Sequence, residues 1–379
     1  MPNAPLAIYI HWPYCARICP YCDFNVYKQR KDDGLTNAII NDLTAWRDRS
    51  GPREIISVHF GGGTPSLMTG DDIARILKQI DALWGLPLTA EVGLEANPNN
   101  AAIEKLDAFK AAGINRLSLG VQSFHDGALK QLGRDHDGAA GERAIDAAVA
   151  RFASVSADLI FGWQGQTQAD LTADLVRLLS SGLSHISTYQ LTVEAGTAFA
   201  RAEARGDMQA VDSDRSADFY SDVCARLLAE GFAHYEVSNF AKPDHRSRHN
   251  LAYWQGHDYI GVGPGAHGRI TLDNIRHASV ADMHPKNYTA RVALGKTGVA
   301  SMDALSPEDW RDEYVLMGLR ISEGISLARL NQLAPSDDII SRAAPLIESG
   351  HLQRINNRLR VTALGRPLLN HITEKLLVG

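Results

Sequence analysis

Apolar runs of strand length alternate with amphipathic stretches of helical length through the first half of this chain. The short apolar runs predict strands, whereas apolar positions three or four residues apart predict helices. Repeated strand-helix units with short turns favour a parallel sheet with right-handed crossovers. The pattern predicts an α/β fold over residues 1–200, with strands at 6–11, 55–60, 91–95, 116–122, 156–162 and 185–192 and helices at 33–49, 70–83, 101–112, 138–152 and 168–180.

The second half of the chain has a different pattern. Residues 352–362 predict a hairpin around Asn356 and Asn357, because paired asparagines suit a tight turn between strands. Helices with such a two-stranded wing predict a smaller, winged-helix-like α+β domain at residues 301–379, which leaves residues 201–300 as an extension of the first domain. Helices are predicted in this half at 210–231, 308–319, 326–333, 339–350 and 365–377.

Composition narrows the class of function. The chain has 379 residues, 45% of them hydrophobic, and a net charge of -6. An acidic balance argues against a nucleic-acid partner, because phosphate binding needs a concentrated basic surface. No stretch reaches the roughly 18 apolar residues of a membrane span, and no secretory signal precedes the first strand. We therefore expect a cytoplasmic protein without a transmembrane segment, and a peripheral contact with a membrane is left open.

Three of the four cysteines lie in one short segment, at Cys15, Cys19 and Cys22. Thiolates spaced C-x3-C-x2-C can hold three corners of a [4Fe-4S] cluster and leave the fourth iron without a protein ligand. Zinc is the competing interpretation, although a structural zinc site needs a fourth ligand, for which His11 or Asp23 stands nearby. An odd trio without a secretory signal argues against a disulfide.

Cys224 is predicted to lie outside this metal site. It stands in a segment with helical periodicity and apolar neighbours. A free cysteine in such surroundings is typical of a buried core position. The predicted metal ligands are therefore the three cysteines of the N-terminal segment alone.

The spacing C-x3-C-x-aromatic-C, with Tyr21 as the aromatic residue, resembles the signature of the radical S-adenosylmethionine (SAM) enzymes. Y-x-H-x-P at Tyr9, His11 and Pro13 narrows the resemblance to the coproporphyrinogen oxidase-like branch. The resemblance implies a [4Fe-4S] cluster whose open iron chelates SAM. It also implies that the predicted strand-helix units form an incomplete (β/α)6 barrel with a lateral opening for a large substrate.

The same resemblance implies a set of SAM contacts. Gly61 to Pro65 reads GGGTP, a family motif whose backbone holds the amino group of SAM, and glycine lets a backbone approach a ligand closely. The polar candidates end predicted strands or follow them, where barrel proteins carry their chemistry. A single polar residue at such a position more often caps a loop or forms a surface ion pair than binds a ligand. The implied SAM contacts are Tyr9, Tyr21, Gly62, Gly63, Thr64, Glu95, Gln122, Arg134 and Asp158.

A second motif stands in the extension, where residues 249–254 read H-N-x-x-Y-W. Isolated histidines and aromatics are most often core residues. As a whole, the segment resembles a motif associated with haem binding in haem chaperones of this branch. The resemblance implies His249, Tyr253 and Trp254 as haem contacts, since imidazole ligates haem iron and aromatic rings stack on macrocycles. Arg246 and Arg248 are candidates to pair with the haem propionates. Other histidines near His249 could be the iron ligand in its place: His245, His257 and His267.

Two functions of the branch compete. The oxygen-independent coproporphyrinogen III dehydrogenases have a fourth cysteine two places after the third, where this chain has Phe24. They also have an N-terminal extension, whereas only 14 residues precede Cys15 in this sequence. Both departures favour a haem chaperone that delivers haem to an acceptor protein, whose identity and membrane association are left open. A third hypothesis is a carrier in which SAM binding is only regulatory.

Overall fold

The computed structural model describes residues 4–28, 34–208 and 211–378. In these ranges the main sheet has 12 strands, and its central strands are parallel. The predicted α/β class is therefore confirmed. The strands predicted for the first half of the chain are β1 Leu6–Trp12, β2 Ile55–Gly62, β3 Glu91–Ala96, β4 Arg116–Gln122, β5 Ser154–Phe161 and β6 His185–Gln190.

Helices connect these strands as the periodicity predicts. One short helix between β4 and β5 was not predicted, because its six residues are too few to show a helical repeat. His125 caps its first turn by accepting the Ala128 N–H. The helices of this half are α1 Leu35–Ser50, α2 Gly70–Trp84, α3 Ile103–Ala112, α4 Asp126–Gln131, α5 Gly138–Val149 and α6 Gln168–Ser180.

The two faces of the barrel strands carry different side chains. Along β1, Leu6, Ile8 and Ile10 are fully buried and belong to the main hydrophobic core, which lies between the sheet and its helices. Side chains alternate along a strand, so Tyr9 and His11 point into the barrel instead. The inside of the barrel is therefore lined by polar and aromatic residues, directly below the ends of the strands.

The sheet continues across the boundary predicted at residue 200. Two short strands extend the edge beside β6, and a further parallel strand joins β1 at the other edge. Residues 201–300 thus complete both edges of one sheet. The elements of this region are α7 Ala198–Ala204, α8 Ser213–Ala229, β7 Ala233–Glu236, β8 Asn239–Ala241, α9 Arg248–Trp254, β9 Asp258–Val262, β10 His267–Leu272, β11 Ile275–Ala281, α10 Pro285–Ala293 and β12 Val299–Ala304.

The C-terminal region forms its own hydrophobic core beside a small three-stranded sheet. Asn356 and Asn357 both have positive φ, as the predicted hairpin turn requires. This α+β arrangement confirms the predicted smaller domain. Its elements are α11 Pro307–Gly318, β13 Ile325–Ser326, α12 Leu327–Leu333, α13 Asp337–Glu348, β14 Leu352–Ile355, β15 Arg358–Val361 and α14 Leu369–Leu377. Among the described residues, no helix combines the length and apolar character needed to cross a membrane.

Helix α9 closes the barrel at the end where the strands begin. Glu91 opens β3, and its carboxylate accepts the backbone N–H groups of Arg248 at 3.1 Å and His249 at 3.0 Å. A carboxylate at a helix N-terminus is favourable, because the first N–H groups have no partner within the helix. The arrangement holds α9 opposite the barrel end that carries the cysteine segment.

Candidate functional site

The three predicted metal ligands lie on one wall of a cavity of about 400 Å³. Cys15 is buried, whereas Cys19 and Cys22 are half-buried. The Cys22 N–H donates to the Cys19 carbonyl at 3.2 Å, which turns the segment back on itself. The structure therefore presents the three thiols together to one space.

The remaining walls of this cavity come from the C-terminal ends of the barrel strands. The structure gathers all the predicted SAM contacts around it except Tyr9, which lies lower in the barrel with its Oη 3.1 Å from His11 Nδ1. The assignments themselves stay a prediction. The predicted contacts that line the cavity are Tyr21, Gly62, Gly63, Thr64, Glu95, Gln122, Arg134 and Asp158.

Each glycine of the triplet is required by a close neighbour. A Cβ on Gly61 would stand 2.8 Å from Tyr9 Cε2, and one on Gly62 would stand 2.6 Å from the His11 ring. A Cβ on Gly63 would stand 2.8 Å from the Tyr14 carbonyl oxygen. The Gly63 N–H already donates to the Trp12 carbonyl at 2.7 Å. The ammonium group of a ligand would therefore contact the carbonyl side of this turn.

Arg134 brings a positive charge to the cysteine wall. Its Nη2 donates to the Gly120 carbonyl at 2.7 Å, and its Nη1 lies 3.4 Å from Cys19 Sγ. Its buried Nε has no hydrogen-bond partner in the described part of the chain. A guanidinium with spare donors suits a carboxylate, which it can bind in a bidentate manner.

Gln122 is held in a strained conformation at the cavity. Its φ is +68°, and the register of β4 on β5 shifts immediately before it. Its Oε1 is buried and lacks a hydrogen-bond partner among the described residues. Strained backbones concentrate at functional sites, and a buried acceptor without a donor is costly. A ligand hydroxyl, such as one of a ribose, would satisfy this atom.

Asp158 titrates near neutral pH in this environment. Its carboxylate accepts a hydrogen bond from Ser118 Oγ at 3.2 Å. Burial raises the pKa of Asp158 to about 7, with a further contribution from the negative charge of Glu95. The opposing effect of Arg134 is smaller. Ligands that donate hydrogen bonds or carry positive charge would favour its ionised form.

Three cysteine thiols are the type of ligand that a [4Fe-4S] cluster takes. Within the described ranges, no three His, Cys, Asp or Glu side chains are grouped to hold one metal ion. Burial raises the pKa of the Cys22 thiol to about 11, so it becomes a thiolate only when a metal displaces the proton. A bound [4Fe-4S] cluster supplies one-electron chemistry and an iron open to a ligand.

Asn25 ties the cysteine segment to the glycine-rich run at residues 261–268. Its Nδ2 donates to the carbonyls of Pro264 at 3.0 Å and Met283 at 2.9 Å. Gly265 has φ +80°, and a Cβ there would collide with the Asn25 side chain. A Cβ on Gly263 would collide with the His11 carbonyl. The two glycines thus let the extension pack closely against the residues just before and just after the cysteine segment.

The H-N-x-x-Y-W segment forms α9, and the structure places His249 inside the barrel. Its Nδ1 lies 3.0 Å from Ser57 Oγ and its Nε2 lies 2.6 Å from Tyr253 Oη. Both ring nitrogens are therefore engaged, so in this arrangement His249 offers no nitrogen to an iron. Of the two propionate candidates, Arg246 pairs with Glu323, whereas Arg248 donates to the Thr89 carbonyl and forms no ion pair in the described part of the chain.

Trp254 lies on the other side of α9. It lines a groove of about 270 Å³ between α9 and the C-terminal domain, together with His257, Arg329 and Arg358. The two arginines donate to backbone carbonyls, and neither forms an ion pair with a carboxylate in the described part of the chain. The groove combines an aromatic ring, an imidazole and two guanidinium groups.

Sequence analysis missed several residues that shape the site. The role of Asn25 could not be recognised in the sequence, because its hydrogen-bond acceptors are backbone carbonyls far away in the chain. Glu91 was read only as the start of a strand. His59 had a signal: Ser57 and His59 are polar residues at alternate positions of an otherwise apolar strand. Such alternation marks the face that points away from the main core.

Comparisons with known proteins identify the family of this chain. A family model described as the radical SAM superfamily matches residues 9–178, and one described as the HemN C-terminal domain matches residues 305–368. Heme chaperone HemW of Mycobacterium tuberculosis is 36% identical over 100% of this chain and 96% of its own length. The mitochondrial radical S-adenosyl methionine domain-containing protein 1 of Mus musculus is 38% identical over 87% of this chain and 76% of its own length.

A solved structure shows the same fold at a lower identity. Coproporphyrinogen III oxidase (HemN) from Escherichia coli is 23% identical, with a TM-score of 0.82 over 99% of this chain and 91% of its own. The chain therefore belongs to the radical SAM superfamily, in its coproporphyrinogen oxidase-like branch. Within that branch, its family is the one that contains the HemW proteins. Membership implies a [4Fe-4S] cluster and SAM.

The cluster assignment predicts the iron content of single variants. Cys15→Ala, Cys19→Ala and Cys22→Ala should each lose most of the iron bound after anaerobic reconstitution, because each removes one thiolate corner. Cys224→Ala is the matched control, since Cys224 is half-buried on α8 and lines no part of the cavity. Iron loss in that control together with retention in Cys19→Ala would contradict the assignment.

The raised pKa of Asp158 predicts a pH-dependent stability. The folded protein keeps this carboxyl protonated up to pH about 7, whereas the unfolded chain ionises it near pH about 4. The folded state then binds more protons, so the Asp158 contribution to the free energy of unfolding should fall as pH rises through this window. Urea unfolding near pH 5 and near pH 7.5 should show a smaller change in Asp158→Asn than in the wild type. Equal changes would contradict the raised pKa.

Proposed function

We propose that this protein is a radical SAM-family haem chaperone. It binds one [4Fe-4S] cluster at Cys15, Cys19 and Cys22, SAM in the adjoining cavity, and haem, which it transfers to an acceptor protein. The proposal is supported by the full-length similarity to a protein named heme chaperone HemW. The acceptor protein is proposed from the same likeness.

Phe24 is the residue that favours the chaperone over the dehydrogenase. It lines the cavity beside the cysteines, and 61% of the residue is exposed. The dehydrogenases of this branch have a cysteine at the corresponding place. An exposed phenyl ring offers an apolar surface, and it supplies neither a proton nor a thiolate. The cavity thus keeps the cluster and SAM contacts without that cysteine.

The alternative is oxidative decarboxylation of coproporphyrinogen III. The fold it would need is present, as the likeness to the oxidase structure shows. Reduced, cluster-loaded protein supplied with SAM and coproporphyrinogen III should form no protoporphyrinogen IX, and the same preparation should bind haem. Steady formation of protoporphyrinogen IX would replace the chaperone proposal by the dehydrogenase one.

Haem binding is proposed at α9 and the groove beside it. Trp254 lines this groove, and the Arg320 guanidinium lies over its ring, 4.6 Å from the ring centroid. Arg329 and Arg358 supply positive charge that suits propionates. His257 lies in the same groove and is a second candidate ligand besides His249. Ligation by His249 requires that α9 leave the barrel end, because both of its nitrogens are engaged there.

The SAM proposal predicts the effect of removing Arg134. Arg134→Ala leaves the SAM carboxylate without its counter-charge, and losing a charge-assisted hydrogen bond costs about 1.5 to 3 kcal/mol. SAM affinity of the cluster-loaded protein should fall roughly ten- to hundredfold. Arg205→Ala is the matched control, because Arg205 is exposed and its guanidinium pairs with Asp207, away from the cavity. An unchanged dissociation constant in Arg134→Ala would remove Arg134 from the site.

The haem proposal predicts a different outcome for each candidate. Trp254→Ala should weaken haem binding about two- to tenfold, because it removes one aromatic contact of about 0.5 to 1.5 kcal/mol. The variant that removes the axial ligand, His257→Ala or His249→Ala, should also shift the Soret band. Trp84→Ala is the control, since Trp84 lines no part of the groove. Wild-type affinity and spectrum in all three variants would contradict a haem site at α9.

A further inference from the structure

Four ring side chains fill the barrel below the SAM cavity, and we call them the ring column: Tyr9, His59, His249 and Tyr253. The His59 and His249 rings stack with centroids 4.8 Å apart and an interplanar angle of 17°. The Tyr9 ring lies 6.4 Å from that of His59 and 6.1 Å from that of His249. The column spans the barrel from its strand ends down to α9.

The upper end of the column contacts the SAM cavity at Glu95. His59 Nε2 lies 3.1 Å from Glu95 Oε1, and a carboxylate accepts hydrogen bonds, so the proton of the ring sits on Nε2. His59 Nδ1 is buried without a partner in the described part of the chain. His59 therefore donates a hydrogen bond from Nε2 to Glu95.

The glycine at position 93 makes room for this geometry. A Cβ on Gly93 would stand 2.6 Å from His59 Nδ1, so a larger residue would push the ring away from Glu95. Tyr9 adds an indirect link to the cavity, because its Oη lies 3.1 Å from His11 Nδ1 and the His11 ring packs closely against Gly62. Two of the proposed SAM contacts thus rest on the ring column.

The lower end of the column belongs to α9. The two ring nitrogens of His249 form hydrogen bonds with the hydroxyl groups of Ser57 and Tyr253. The backbone N–H of His249 donates to the Glu91 carboxylate. Burial lowers the pKa of His249 well below its usual value, so the stacked ring is neutral. The position of the His59 ring therefore depends on α9 being docked in the barrel end.

We infer that His59 is a positioning residue for Glu95 and that the ring column couples the SAM cavity to α9. The inference rests on the proposed SAM site. A ligand that hydrogen-bonds Glu95 favours the orientation of Glu95 in which it accepts from His59. That position of the His59 ring is the one that stacks on His249, so the ligand also favours the docked position of α9. Such coupling is reciprocal, because a docked α9 must then favour ligand binding by the same factor.

Two His59 variants separate positioning from coupling. His59→Gln keeps an N–H donor for Glu95 but removes the stacked ring, whereas His59→Leu removes both. SAM affinity of the cluster-loaded protein should fall about three- to tenfold in His59→Leu. This loss is smaller than for Arg134→Ala, because His59 acts on SAM only through Glu95. His59→Gln should recover most of that loss. Gln255→Ala, at the C-terminal end of α9, is the control.

Hydrogen exchange of α9 tests the coupling directly. Adding SAM to the cluster-loaded wild type should slow amide exchange in residues 248–254 at least threefold. In both His59 variants at saturating SAM this slowing should vanish, because the ring that joins Glu95 to His249 is gone. Helix α6 serves as the internal reference, since it packs on the outside of the barrel.

The outcomes distinguish this inference from the proposed function. SAM binding to the wild type with unchanged exchange in α9, or equal slowing in the His59 variants, overturns the coupling and leaves the SAM site intact. Wild-type SAM affinity in His59→Leu, with normal iron content and thermal stability, overturns the positioning role. A wild type that binds no SAM overturns the proposed function and this inference together.

Discussion

The hydrogen bonds of Asn25 are the contacts on which the arrangement of the cluster site depends. They fasten the chain just after the cysteine segment to backbone carbonyls of the extension. They add to the pairing of Tyr14–Cys15 with Tyr27–Lys28 and to the hydrogen bond from the Thr64 N–H to the Tyr14 carbonyl. Together these contacts hold the three thiols beside the strand ends that carry the other site residues. The close approach requires glycine at position 265. The extension is thus part of the site, although its sequence carries no cysteine ligand.

The same sheet gives the barrel two functional ends. At the C-terminal ends of the strands, polar side chains from several strands surround one cavity, as the geometry of parallel barrels favours. At the opposite end, Glu91 fixes α9 by accepting its first N–H groups. The interior between the two ends is polar and aromatic, whereas the apolar core lies outside the strands. Interior residues such as His59 and His249 can therefore transmit a change from one end to the other.

Much of this was readable from the sequence, for identifiable reasons. The barrel strands were predicted from short apolar runs, and most of their helices from apolar positions three or four residues apart. The grouping of Glu95 and Gln122 followed from parallel strands that end at one edge. Asp158 lies inside β5, Ser154–Phe161, and lines the cavity from there. Strand β9 was not predicted, since its partner β1 stands at the other end of the chain. The burial of His249 was also hidden, because the motif identifies the residue type but not which side of a short helix faces the barrel.

The central proposal is that SAM binds directly to an iron of a cluster held by Cys15, Cys19 and Cys22. Electron paramagnetic resonance of the reduced, reconstituted protein tests it without any substrate. The account predicts that SAM changes the spectrum of the cluster, because it fills the coordination position that three thiolates leave open. An identical spectrum with and without saturating SAM would contradict it.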